Sequence, residues 1–116
     1  MAKYEGFSYG SGPALSDFLL WEGDPIHTRE EIGITTAVSL THGTILEETD
    51  GTWAVASAGT GKLGMLMNKL IGREGVQPAV VVVRDAVFSK QRLQVAEGIK
   101  DAAIATLEKQ NIKVAS

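Results

Sequence analysis

The sequence contains no cysteine. Disulfide frameworks, thiolate metal sites and cysteine nucleophiles are excluded together, and the redox compartment is most simply a reducing one. Histidine is scarce, with only His27 and His42. They stand fifteen positions apart with a strand-like segment between them, so no i, i+4 ligand pair exists, although Asp24, Glu30 and Glu31 are neighbours of His27. No window approaches the roughly 20 apolar residues of a membrane-spanning helix, and the first residues lack the charged-then-apolar order of a signal peptide. Positive charge is also thin: 11 Lys and Arg are scattered among 14 acidic residues, for a net charge of −3. Nucleic-acid binding draws on a basic face or stripe, and none is visible. The expectation is a soluble protein made in the cytoplasm, with neither nucleic acid nor membrane as partner.

What is present is enough for one domain. A chain of 116 residues with 44% hydrophobic content can bury a real core but is too short for two. Its first sixteen residues, "MAKYEGFSYGSGPALS", differ from the rest, with three glycines, three serines and a proline. Such a stretch buries little of itself. Yet Tyr4, Phe7 and Tyr9 are aromatic, which a plain linker does not need. Either this is a frayed tail, or it is a flexible arm that orders on a partner with the aromatics as anchors. We divide the chain into an arm, 1–16, and a single body, 17–116.

Along the body, "DFLLWEGDP" reads as a brief strand stopped at Gly23-Asp24-Pro25. In "EEIGITTAVSL" the apolar residues Ile32, Ile34, Val38 and Leu40 fall at even positions, the period of a half-buried strand. "THG" is a turn, "TILEET" and "TWAVAS" are strands, and Asp50-Gly51 between them is a strong hairpin signal. Residues 63–71 are ambiguous: Leu63, Met67, Leu70 and Ile71 have helical spacing, but the block is short and rich in glycine. "PAVVVVRDAVF" favours a strand buried on both faces, because four successive valines are stiff at χ1. "RLQV" reads as another short strand. The C-terminal part holds a helix with Ile99, Ala102, Ala103 and Leu107 on one face. Asn111 fits a left-handed cap, and Ile112 and Val114 suggest a closing strand. The fold class is α+β, mostly β, with one C-terminal helix.

The stretch "VASAGTGKLGM" resembles a phosphate-binding loop only superficially. That motif needs glycine where Ala56 stands and a magnesium-holding hydroxyl where Leu63 stands. The plainer reading of Gly59-Thr60-Gly61-Lys62 is a flexible glycine loop joining two strands, with Lys62 solvated. Ser57 and Ser89 have no glycine elbow, and both histidines sit in turn-like segments. Asp85 is a possible strand-end acid, but with no second carboxylate it reads better as a structural pair with Arg84 or a sheet-edge charge. Trp21 and Trp53 read as core or interface residues. No catalytic, metal or cofactor set emerges.

The C-terminal third carries a recognisable order: "PAVVVVRDAVFSKQRLQVAEGI", an alanine-rich helix, then "QNIKV". With "DFLLWEGDPIHTRE", "LTHGTIL" and "GMLMNKL" upstream, this resembles the lambda-type phage head decoration proteins over roughly Asp17 to Val114. One departure is Val95-Ala96, where relatives often carry Trp-Pro. The resemblance implies a small β-clip-like body and tips residues 63–70 toward strand. It implies a homotrimer on the outer surface of an expanded head, bound to the major capsid protein and resisting the pressure of packaged DNA, with no enzymatic activity and no cofactor. It places the protein on the virion surface, and in host cytoplasm during assembly. The expected capsid-binding arm residues are Tyr4, Phe7, Tyr9, Pro13 and Leu15, with Phe18 and Trp21 on the body surface beside them. The alternative is a small soluble ligand-binding module using the Gly59-Thr60-Gly61-Lys62 loop.

Overall fold

The computed structural model describes residues 19–90 and 93–115. The chain is mostly β: a five-stranded closed barrel joined to a three-stranded sheet, with one ten-residue helix near the C-terminus. Strand β1 (Leu19–Glu22) comes first, and the expected turn after it opens a single helical turn, α1 (Pro25–Thr28). Proline at its first position has no N–H to orphan, and Asp24 caps it by accepting from Ile26 N at 3.1 Å.

Strand β2 (Arg29–Ile34) begins where expected but stops six residues short of Leu40. Past Ile34 the backbone turns, with Thr36 Oγ1 donating to Val38 O and accepting from Val38 N. This local bonding competes with a strand ladder, so Val38 is exposed and Leu40 makes only an isolated bridge to Leu70. Strands β3 (Ile45–Thr49) and β4 (Thr52–Val55) form the expected hairpin. Asp50 and Gly51 both take left-handed φ, 52° and 82°, as a two-residue hairpin turn of this hand requires.

The ambiguous segment resolves as strand β5 (Lys62–Leu66) followed by a loop. Gly64 permits the close packing there, since a Cβ would sit 2.9 Å from Val81 Cβ. The segment "PAVVVVRDAVF" is two strands in different sheets, with the valine run in and just after the first. β6 (Gln77–Val82) pairs with β2 and β5 in the barrel, whereas β7 (Ala86–Ser89) joins the small sheet. Asp85, at φ 54°, makes the corner between them. The strand expected at "RLQV" is corrected: Leu93 is buried outside any strand, and Gln94 makes one isolated bridge to Thr44. Helix α2 (Lys100–Lys109) follows a 3-10 turn at Glu97–Ile99 and buries Ala103 and Leu107. Asn111, at φ 62°, reverses the chain into β8 (Ile112–Ala115).

The barrel order is β2-β4-β3-β5-β6, closed between β2 and β4 by one parallel pair, Ile34 with Trp53. The small sheet has β7 at its centre, antiparallel to β1 and parallel to β8. Alternation along the strands divides the core in two. Leu46, Trp53, Leu66, Val81 and Val83 fill the barrel. Ile45, Leu63, Met65, Val82 and Phe88 face outward from it or from β7 and pack with Leu107 and Ile112 in a second layer. Trp53 is thus a core residue, and Trp21 a surface one.

Candidate functional site

The glycine loop is ordered by a group that the sequence did not advertise. Glu47 lies on the face of β3 that points away from the barrel interior and is 4% exposed. Its Oε1 accepts from the backbone N–H groups of Ser57, Ala58 and Gly59 at 3.0, 3.0 and 3.1 Å. Its Oε2 accepts from Thr60 and Gly61 at 3.1 and 2.7 Å. Five converging donors make an anion nest, and the chain fills that nest with its own carboxylate. Burial alone would raise the pKa of Glu47. Hydrogen bonds from Gly61, Ala58, Gly59 and Ser57 outweigh burial and bring it down to about 2. Glycine is required at position 61, where a Cβ would lie 2.6 Å from Glu48 O. The one available clue was a glutamate two positions after Ile45, on the same face of β3 as that buried residue.

Lys62 is not a free solvated cation. Its Nζ lies 2.9 Å from both oxygens of Glu30, and Arg84 Nη2 reaches Glu30 Oε2 at 2.7 Å. These two cations hold the Glu30 carboxyl below its ordinary pKa, with the Lys62 hydrogen bond the larger aid against burial. The loop therefore has its five N–H groups and its lysine engaged internally, which leaves no donor set for a phosphate. Arg84 and Asp85 do not pair with each other. Asp85 Oδ2 lies 3.1 Å from His27 Nε2, and Asp85 Oδ1 accepts from Asn111 Nδ2. Among the described residues no group of three or more His, Asp or Glu is arranged to hold a metal.

The other notable surface lies on β1. Its only strand partner among the described residues is β7, so its outer edge has no ladder partner among them. A bulge between Leu19 and Trp21 breaks the alternation. Leu20 and Trp21 both face solvent as a result, Trp21 at 59% exposure, and Ile26 on α1 is 92% exposed. The segment beneath is tied down. Glu22 receives Arg29 through Nε and Nη2 at 2.8 and 2.7 Å and also the Thr28 hydroxyl, and Gly23 N donates to Asp85 O at 2.9 Å. Arg29 is the main cause of a lowered Glu22 pKa. A shallow groove of about 500 Å³ runs past Trp21, Gly23, Val87 and Ile112. Exposed apolar side chains on β1 and α1 suit a contact surface. Of the expected site residues, Trp21 is on this surface; Tyr4, Phe7, Tyr9, Pro13, Leu15 and Phe18 lie outside the described residues.

The sequence profile of the bacteriophage lambda head decoration protein D family matches residues 9–112. This chain is a lambda-type head decoration protein. The match covers nearly the whole chain, including the β1 edge and its exposed tryptophan. No curated protein matches the chain. As a member of a structural capsid family, the decoration protein has a virion-associated role, and no helix among the described residues is long and apolar enough to cross a membrane. A second group of exposed apolar residues, Val38, Ile71 and Val76, lies past the other end of β2. Strand β2, which separates α1 from this second group along the chain, spans roughly 17 Å at about 3.3 Å per residue.

Proposed function

We propose that this decoration protein binds the outer surface of an expanded phage head as a homotrimer and stabilises the shell against the pressure of packaged DNA. The observation that carries the reading is the β1 edge, unpaired among the described residues, where Leu20 and Trp21 stand exposed directly after segment 1–18, with Ile26 exposed on α1. An edge strand with apolar side chains is suited to accept or extend a strand of another protein. Residues 1–16 act as the capsid-binding arm, with Tyr4, Phe7, Tyr9, Pro13 and Leu15 as anchors and Phe18 and Trp21 continuing the contact onto the body. The major capsid protein is the partner, and the protein meets it in the host cytoplasm during assembly. Three such contacts on one rigid trimer raise apparent affinity by about 10² to 10⁴ without any better single contact.

A ring of three needs two different surfaces on each copy. The Val38, Ile71 and Val76 group, past the other end of β2, serves as one of them. The self-occupied nest argues against the alternative of a ligand-binding module built on the glycine loop. The test is to mix the protein with expanded and unexpanded heads and measure what sediments with each. Retention on expanded heads only, lost on deletion of residues 1–16, is expected. Equal retention on both, or unchanged retention without the arm, would overturn it. In solution the trimer has three times the 12.3 kDa chain mass, about 37 kDa.

A further inference from the structure

We infer that Ile26 is an anchor that enters an apolar pocket of the shell protein, and that Arg84 and Asp85 are the positioning residues that hold it out; the inference rests on the capsid reading. Helix α1 is a single turn of four residues, too short to keep its shape by its own bonds. The corner between β6 and β7 grips it instead. Gly23 N donates to Asp85 O and Val83 N donates to Thr28 O, both at 2.9 Å, so the backbone is fastened on either side of the turn. Between these ties, Arg84 Nη1 donates to His27 O, and Asp85 Oδ2 lies 3.1 Å from His27 Nε2. Asp85 is itself fixed, with φ 54° and with Asn111 Nδ2 donating to its other carboxylate oxygen. Thr28 closes the turn, fully buried, and gives its hydroxyl to Glu22.

The residues around Ile26 are thus engaged, and its own N–H is held by Asp24 Oδ1. Its side chain alone is left out, 92% exposed, more than any other large hydrophobic residue described. A lone exposed apolar residue is commonplace. One whose backbone is fixed beforehand is better suited to binding, because less ordering cost remains to be met on contact. Binding energy concentrates in side chains seated in a partner's desolvated pocket. The course of the chain points to the occupant. Residues 1–18 lead into β1 at Leu19, and Ile26 stands seven positions later, at most about 25 Å along the chain. A shell that receives the arm is therefore within reach of α1. Because Ile26 is aliphatic and uncharged, the feature that fits it is a small apolar hollow.

Sedimentation with expanded heads and hydrogen exchange of the free, full-length chain test the two halves of the inference. Ile26→Ala is expected to raise the concentration needed for half-retention roughly tenfold or more, from the apolar surface it no longer buries. Ile26→Leu keeps retention near wild type. The amides of residues 26–29 all bond within the turn, to Asp24 and Pro25, so their exchange reports how firmly it is held. Asp85→Asn tolerates the left-handed corner but removes the charge facing His27, and Arg84→Gln removes the donor to His27 O. Each should speed exchange at 26–29 roughly two- to fivefold, the scale of a partly exposed pair, and weaken retention. In the Ile26→Ala background Asp85→Asn should weaken retention no further, since its effect passes through Ile26. Wild-type retention left unchanged by Ile26→Ala would overturn the anchor. A wild type that heads never retain would overturn the capsid reading, and the anchor with it. Equal exchange at 26–29 in wild type and both corner variants, or additive losses in the double variant, would overturn the positioning roles of Arg84 and Asp85.

Discussion

Glu47→Gln removes a charge and almost no volume, so its effect isolates the electrostatics of the nest. The carboxylate has its pKa lowered from 4.5 to about 2 in the folded protein. At about 1.36 kcal/mol per unit, that difference is worth about 3 kcal/mol at neutral pH. This is a sizeable part of the 5–15 kcal/mol typical of a folded domain. The sign follows from the direction of the shift. A lowered folded-state pKa gives stability that is complete above about 4.5 and is lost as pH falls toward about 2. Glu22 and Glu30 are lowered as well, so the wild type loses stability in acid for three reasons. Subtracting the variant from the wild type cancels the other two. Urea unfolding, followed by the fluorescence of the buried Trp53 at a series of pH values, provides the measurement. The variant should be less stable by about 3 kcal/mol at pH 7, and the gap should close between 4.5 and 2. An unchanged urea midpoint at pH 7, or a gap that persists into strong acid, would refute the reasoning.

Other substitutions separate folding from binding. Gly61→Ala places a methyl 2.6 Å from the backbone oxygen of Glu48, which cannot easily retreat; thermal unfolding should show a loss of about 1–3 kcal/mol. Phe88→Ala empties the largest fully buried side chain and should cost about 3–5 kcal/mol in the same assay. Trp21→Lys changes an exposed side chain, so the unfolding midpoint should stay put while retention on expanded heads falls. Val76→Lys should likewise leave the fold intact but lower the solution mass toward that of the single 12.3 kDa chain, as light scattering would show.

Local chemistry made much of the fold legible in advance. Asp50-Gly51 specified its hairpin because both residues tolerate left-handed φ, and the apolar face at Ala103 and Leu107 specified the helix. Asn111 marked the helix end for the same backbone reason. Alternation was less dependable. It held through Ile32 and Ile34 but not at Val38 and Leu40, because the Thr36 hydroxyl satisfied the backbone locally. The short apolar run around Leu93 looked like a strand because burial and strand pairing leave the same mark in a sequence; in the fold, Leu93 is buried without a ladder.

By itself, the sequence determined the β3–β4 hairpin, the C-terminal helix with its Asn111 end, the absence of thiol chemistry and the family, since these depend on residue identities and their near-neighbour order. Only the tertiary structure decided what the glycine loop binds, where Lys62 and Asp85 find partners, and which tryptophan faces solvent. Glu47 meets the loop from ten or more positions away, and Lys62 and Arg84 share Glu30 across 32 and 54 positions. Trp21 and Trp53 are chemically identical, and a bulge in β1 exposes one while barrel closure buries the other. Such pairings are set by how strands are stacked, which spacing along the chain does not encode.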